Sequence, residues 1–232
     1  MNTTQASYAA SPIRTVLFDL DGTLLDTAPD LAFSLNTVLA EHKRRPLSYE
    51  SIRPVVSHGG IALIQLGFGL DPQHPGFEPL RLRLLDIYRE NLCRKTSLFP
   101  GMEKLLHSIE QRGLNWGVVT NKPSWLTEPL LLGLQLSGRT SCSVSGDTLA
   151  DRKPHPAPML HACDQTGSHA SECVYIGDAQ REIEAGKSAG MYTLVALFGY
   201  IGEEDDPAMW GADGLLEDPL SLLAWLDDPA SG

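Results

Sequence analysis

The amino-acid sequence predicts an α/β protein built on a doubly wound parallel sheet, with a smaller helical lobe inserted after the first strand. Three observations carry that expectation. Short β-branched or apolar runs alternate with helical stretches, those runs are apolar on both faces as a buried parallel sheet requires, and the alternation lapses once over a long helical interval.

The fold is expected to start at Ile13, after a small, polar, aperiodic leader that ends in Pro12 and reads as disordered. Strands are predicted at TVLF (15–18), WGVV (116–119), CSV (142–144), CVYI (173–176) and YTLVA (192–196), with helices near 102–112, 124–136, 156–166, 180–189 and 219–226. Between Asp26 and Leu98 no strand pattern is found. LAFSLNTVLAEHK, IRPVVSH, GIALIQLGFGL and FEPLRLRLLDIYREN carry apolar residues at helical spacing instead. The division that follows is a Rossmann-like core over 13–27 and 98–228, interrupted by a helical domain over 28–97, with chain crossings near Thr27 to Pro29 and Ser97 to Gly101.

Composition limits the functions open to such a chain. A length of 232 residues with 42% hydrophobic content is enough for one substantial core carrying an inserted lobe. Cys93, Cys142, Cys163 and Cys173 are scattered, without zinc-site or CxxC spacing, and read as buried free thiols in a reducing compartment. No apolar run approaches the roughly 20 residues of a membrane span and no secretory h-region opens the chain, so a cytoplasmic location is expected. With 18 basic and 29 acidic residues, the net charge of -11 argues against nucleic acid or an anionic membrane as partner. An anionic substrate therefore needs a local cluster of cations and backbone donors. The oligomeric state and the places of Trp125, Trp210 and Trp225 are not set by the sequence, although lone aromatics are more often core.

The segment LFDLDGTLLDT carries the strongest chemical signal. A buried strand ending in Asp-x-Asp puts Asp19 and Asp21 on one side, at the carboxyl end of a parallel strand where doubly wound sheets place their sites. Gly22 lets the chain turn beside them and Thr23 offers a hydroxyl. Paired carboxylates repel unless a hard cation takes both as oxygen ligands, and magnesium is the natural candidate. Alone, this piece also reads as an acidic turn. Other strand ends carry polar groups as well: Thr120 and Asn121 after WGVV, Lys153 in the loop after CSV, and Asp178 after CVYIG. Singly these could be a helix cap, a solvated lysine and another cap.

Taken in order, DLDGT (19–23), VVTN (118–121), RKP (152–154) and GDAQRE (177–182) resemble the four motifs of the haloacid dehalogenase superfamily of phosphohydrolases. The resemblance runs over nearly all of the chain from Ile13, with a helical cap where the family's first cap type belongs. It implies Asp19 as the nucleophile attacking phosphorus and Asp21 as general acid and base. It implies a Mg2+ held by Asp19, the backbone carbonyl of Asp21 and Asp178, with Thr120, Asn121 and nearby backbone N–H groups on phosphoryl oxygens and Lys153 on the nucleophile. Relatives usually carry Asp where this chain has Glu182, which is placed behind the metal site, orienting a metal-bound water or Lys153.

In the cap, Arg53 and SHGG (57–60), with His58 and Gly59, are candidates for holding the part of the substrate that is not phosphate. The competing description is a surface arginine and a plain helix break. TNKP and FGYI resemble phosphoglycolate phosphatases, while GYI (199–201) and WGAD (210–213) also have counterparts in the subgroup that acts on N-acetylmuramic acid 6-phosphate in cell-wall recycling. Both substrates are small phosphorylated metabolites with a carboxylate, so charge does not separate them. A dehalogenase would lack Asp21, and a phosphonatase would need a cap lysine where only Lys43 and Lys95 stand near the ends. A phosphomutase and a non-catalytic binding domain remain as rival classes, the latter expected to have lost a catalytic group.

Overall fold

The computed structural model describes residues 13–228; the leader expected to be disordered over 1–12 and the PASG tail lie outside that span. The chain opens with β1 (Thr15–Phe18) and a two-residue strand β2 (Leu25–Asp26), then runs through α1 (Ala28–Glu41), α2 (Tyr49–Ile52), a 3-10 segment Arg53–His58, α3 (Gly59–Phe68) and α4 (Phe77–Glu90) to β3 (Ser97–Leu98). Strands and helices alternate from there: α5 (Met102–Gln111), β4 (Asn115–Val119), α6 (Ser124–Gly133), β5 (Cys142–Val144), α7 (Ala157–Thr166), β6 (Cys173–Gly177), α8 (Gln180–Ala189), β7 (Tyr192–Ala196), β8 (Gly214–Leu216) and α9 (Ser221–Asp227).

Six strands form one sheet in the order β5-β4-β1-β6-β7-β8, every pair parallel. The first crossovers leave β1 toward one edge and later ones return to its other side. The order reverses between β1 and β6, and at such a switch point the strand ends part to leave a crevice. Side chains alternate across the sheet. Val16, Phe18, Val118, Val174 and Ile176 join the core shared with α5, α6, α9 and the helical segment, while Leu17, Val119, Val144 and Tyr175 pack with Met159, Ala162 and Ala185 on the other face. Helices therefore cover both faces.

Two features differ from the sequence-based expectation. β8 extends the sheet by a strand of three residues, too short and too exposed at Leu215 for a pattern to show. β2 and β3 pair antiparallel, Leu25 with Leu98 and Asp26 with Ser97, at the two places where the chain leaves and rejoins the sheet domain. Two residues give no periodicity, so only their pairing reveals them. Asp30, buried at the start of α1, secures the return crossing: its carboxylate accepts from the Lys95 and Thr96 backbone N–H groups and the Thr96 hydroxyl at 2.7–3.0 Å. Cys142, Cys163 and Cys173 are buried and Cys93 half-buried, all free. No helix among the described residues is long and apolar enough to cross a membrane.

Candidate active site

The carboxyl ends of β1, β4 and β6 meet under the helical segment, around a cavity of about 870 Å3 lined by Asp19, Asp21, Thr120, Asn121 and Glu182 among others. Lys153, almost wholly buried, lies behind this lining. Its ammonium lies 2.7 Å from Asp19 Oδ1, the Val119 carbonyl and the Tyr175 hydroxyl, and 2.5 Å from Glu182 Oε2. The Tyr175 hydroxyl lies 2.8 Å from both the Val119 carbonyl and Glu182 Oε2, with its one proton to give to either. One buried cation is thus shared by two buried carboxylates, the arrangement that makes such charges tolerable away from water. Burial alone would raise the Glu182 carboxyl, but Lys153 and Arg181 hold it below its usual value. Glu182 therefore anchors Lys153 directly.

Asp19 and Asp178 are in the opposite position. Burial, only partly offset by Lys153, pushes Asp19 up to about 6, and burial with the charge of Asp19 pushes Asp178 up to about 7. Asp178 Oδ2 accepts from the Ser57 hydroxyl at 2.6 Å and the Tyr200 N–H at 2.9 Å, whereas Oδ1 is buried with no hydrogen-bond partner. The Asp21 carbonyl faces the same Ser57 hydroxyl at 3.4 Å. A Cβ at Gly22, whose φ is +87°, would run into Asp178 Oδ2, so only glycine lets these groups close up. Crowded carboxylates with an unsatisfied buried oxygen are a donor set that suits a hard divalent cation. No group of three acidic, His or Cys side chains clusters at metal-binding spacing among the described residues, so a backbone carbonyl has to complete such a set.

The Asp21 side chain points elsewhere. Its Oδ1 accepts from the Thr27 hydroxyl at 2.6 Å and from Lys122 Nζ at 2.8 Å, and Lys122 lies over the Tyr88 ring of α4, 4.5 Å from its centroid. Asp21 also lines the cavity.

Two residues expected on substrate are spent differently. Asn121 uses both side-chain atoms on the Lys153 backbone, accepting its N–H at 3.1 Å and donating to its carbonyl at 3.0 Å, so it fixes the lysine loop. Arg53 donates to the Phe198 carbonyl at 3.1 Å and stacks over Tyr200, which holds it outside the lining of the cavity. The physical reason is the same for both: a nearer backbone partner claims the donor. Ser57, His58 and Gly59 do line the cavity. His58 is exposed and sits 3.3 Å from Arg181, and partial desolvation with that neighbour's charge lowers its pKa. Thr120 is buried, its hydroxyl accepting from the Lys122 N–H at 3.2 Å.

Sequence reasoning placed Ser57 within the candidate SHGG stretch but gave no role to Lys122, Arg181, Tyr175 or Tyr200. Tyr175 had a signal, a hydroxyl inside an otherwise aliphatic buried strand, and Lys122 follows directly on Asn121. The contacts that Ser57 and Tyr200 make with Asp178 had no signal, since each acts across a large sequence separation. Trp125 is 41% exposed at the cavity mouth, outside the core that lone aromatics usually join.

Residues 16–196 match the family model of haloacid dehalogenase-like hydrolases. The chain belongs to this family. It is 42% identical over 215 residues to the N-acetylmuramic acid 6-phosphate phosphatase of Pseudomonas aeruginosa, covering 93% of this chain and 95% of that protein. It is 43% identical over 209 residues to a phosphoglycolate phosphatase of Xylella fastidiosa, covering 90% and 91%. Among solved structures, a predicted phosphoglycolate phosphatase from Haemophilus somnus superposes with a TM-score of 0.82 at 28% identity, over 92% of this chain and 98% of the other. This haloacid dehalogenase-like hydrolase is accordingly a phosphoric monoester hydrolase.

Proposed function

We propose that the protein is a magnesium-dependent phosphatase that hydrolyses a small phosphate monoester carrying a carboxylate, by way of a phosphorylated Asp19. Phosphoglycolate and the 6-phosphate of N-acetylmuramic acid, the substrates named for its relatives, are the two candidates, the second tying the enzyme to cell-wall recycling. The observation that carries this reading is the sharing of buried Lys153 between Asp19 and Glu182 at the switch point of the sheet. Such a cation holds a nucleophilic carboxylate ionised and faces the charge of a transferring phosphoryl group.

Asp19 Oδ1 is bound by Lys153, which leaves Oδ2 to attack phosphorus. As the phosphorus–oxygen bond of the ester breaks, Asp21 gives a proton to the leaving alkoxide. Asp21 then takes a proton from the water that attacks the aspartyl phosphate, and Asp19 is regenerated with release of inorganic phosphate. Thr27 and Lys122, both on Oδ1 of Asp21, aim its Oδ2 for these transfers. Thr120 supplies a hydroxyl to the phosphoryl oxygens. Asp19, Asp178 through its unpartnered Oδ1 and the Asp21 carbonyl would hold Mg2+, which when bound offsets the carboxylates' repulsion of an incoming phosphate. The helical segment 28–97 closes over the core formed by 13–27 and 98–228 and shuts out bulk water.

Asp19→Asn removes the attacking oxygen's charge while keeping its shape. Hydrolysis of p-nitrophenyl phosphate with Mg2+ should fall at least about a thousand-fold with the circular dichroism spectrum unchanged, and EDTA should reproduce the loss in the wild type. Wild-type turnover by the Asn variant would overturn the nucleophile assignment.

A further inference from the structure

The cavity continues well past the groups that do the chemistry. At about 870 Å3 it falls in the range of a few hundred to a thousand Å3 that takes a drug-sized ligand, far more than a phosphorylated two-carbon acid fills. Its outer part is apolar and open to water: Ile61 of α3 and Leu82 of α4 are each 49% exposed, and Trp125 of α6 faces them from the sheet domain. Arg89 lies 5.9 Å over the Trp125 ring and steadies it. Large apolar side chains gathered exposed around one opening mark a surface that a ligand covers.

Charge matching within the cavity points to what that ligand carries. Lys122 is paired with Asp21, Arg181 with Glu182 and Arg81 with Glu78. Arg152 also lines the cavity, yet among the described residues its guanidinium has no ion-pair or hydrogen-bond partner. In a chain of net charge -11, an unmatched guanidinium beside an acidic site is a ready partner for an anion, and its planar fork suits a carboxylate. Building on the phosphatase reading, we infer that Arg152 and Trp125 determine specificity: Arg152 takes the substrate's carboxylate and Trp125, with Ile61 and Leu82, takes the apolar face of a sugar ring. The substrate is a carboxylated sugar phosphate, and phosphoglycolate is too small to reach both groups.

The test compares kcat/KM for N-acetylmuramic acid 6-phosphate, for N-acetylglucosamine 6-phosphate, which is the same sugar phosphate without the lactyl carboxylate, for phosphoglycolate and for p-nitrophenyl phosphate. The wild type should prefer the muramic acid ester over the other two metabolites by about tenfold or more. Arg152→Ala should shrink the muramic-to-glucosamine ratio by about tenfold, and Trp125→Ala should lower both sugar phosphates relative to phosphoglycolate. A wild type that prefers phosphoglycolate, or a ratio unmoved by Arg152→Ala, overturns this inference alone while aryl phosphate turnover persists. Failure on all four substrates overturns the phosphatase reading and this inference with it.

Discussion

The two walls of the cavity are built on different principles. On the sheet side the catalytic candidates are buried or partly buried and tied to a partner at fixed distance: Lys153 to Asp19 and Glu182, Asp21 to Lys122 and Thr27, Asn121 to the Lys153 backbone. On the helical side the lining includes apolar side chains left exposed, Ile61 and Leu82, with Ser57 as the hydroxyl that touches the opposite wall. The contrast teaches a division of labour. Chemistry requires groups that need not reorganise during reaction, and a closed hydrogen-bond network in a dry site supplies them. Selection requires a surface that is completed only when substrate arrives, so its partners are missing until then.

The sharpest way to break this contrast is to remove the hub of the rigid wall. Lys153→Ala leaves Asp19 and Glu182 as buried carboxylates without their shared cation, and breaking a buried pair in this way costs about 3 to 5 kcal/mol. Urea denaturation of the metal-free variant should show that loss, and hydrolysis should fall by at least about a thousand-fold. Retention of full stability would mean that the network is a surface-like one of little weight.

A second prediction separates the cation from the network. Without metal, Asp19 and Asp178 titrate near 6 and 7 in the fold but near the ordinary 3.8 when unfolded. From about pH 4 to pH 7 the folded state therefore holds protons that the unfolded chain has released, and stability contributed by these groups declines as pH rises through that window. On the proposed mechanism a divalent cation takes the place of those protons. At one fixed Mg2+ concentration the rise in Tm should be small at pH 5 and clearly larger at pH 8. An equal rise at both values would show that the crowded carboxylates are not where the cation sits.

The smallest effect is expected where the walls touch. Ser57→Ala removes one of two donors to Asp178 Oδ2 and leaves the Tyr200 N–H in place. About 1 kcal/mol is at stake, a roughly five-fold weaker Kd for Mg2+ by isothermal titration calorimetry. Restoration by Ser57→Thr would assign the effect to the hydroxyl, and unchanged binding would confine Ser57 to holding the helical segment in place.

Read alone, the sequence determined the alternation of strands and helices, the long helical interruption and the strand-end positions of Asp19, Thr120 and Asp178. These are local properties: apolar periodicity selects the element and a polar residue just past a buried run must face its open end. Partners across the fold were decided only by tertiary structure. Arg53 and Asn121 carry the right chemistry for substrate, but backbone carbonyls and amides brought near by folding claim their side chains. Ser57 on Asp178, Tyr200 at Asp26 and the Leu25–Leu98 pairing join residues far apart in the chain, and the exposure of Trp125 depends on what α4 leaves uncovered. A hydrogen bond depends on distance in space, and sequence spacing reports that distance only within one helix or strand.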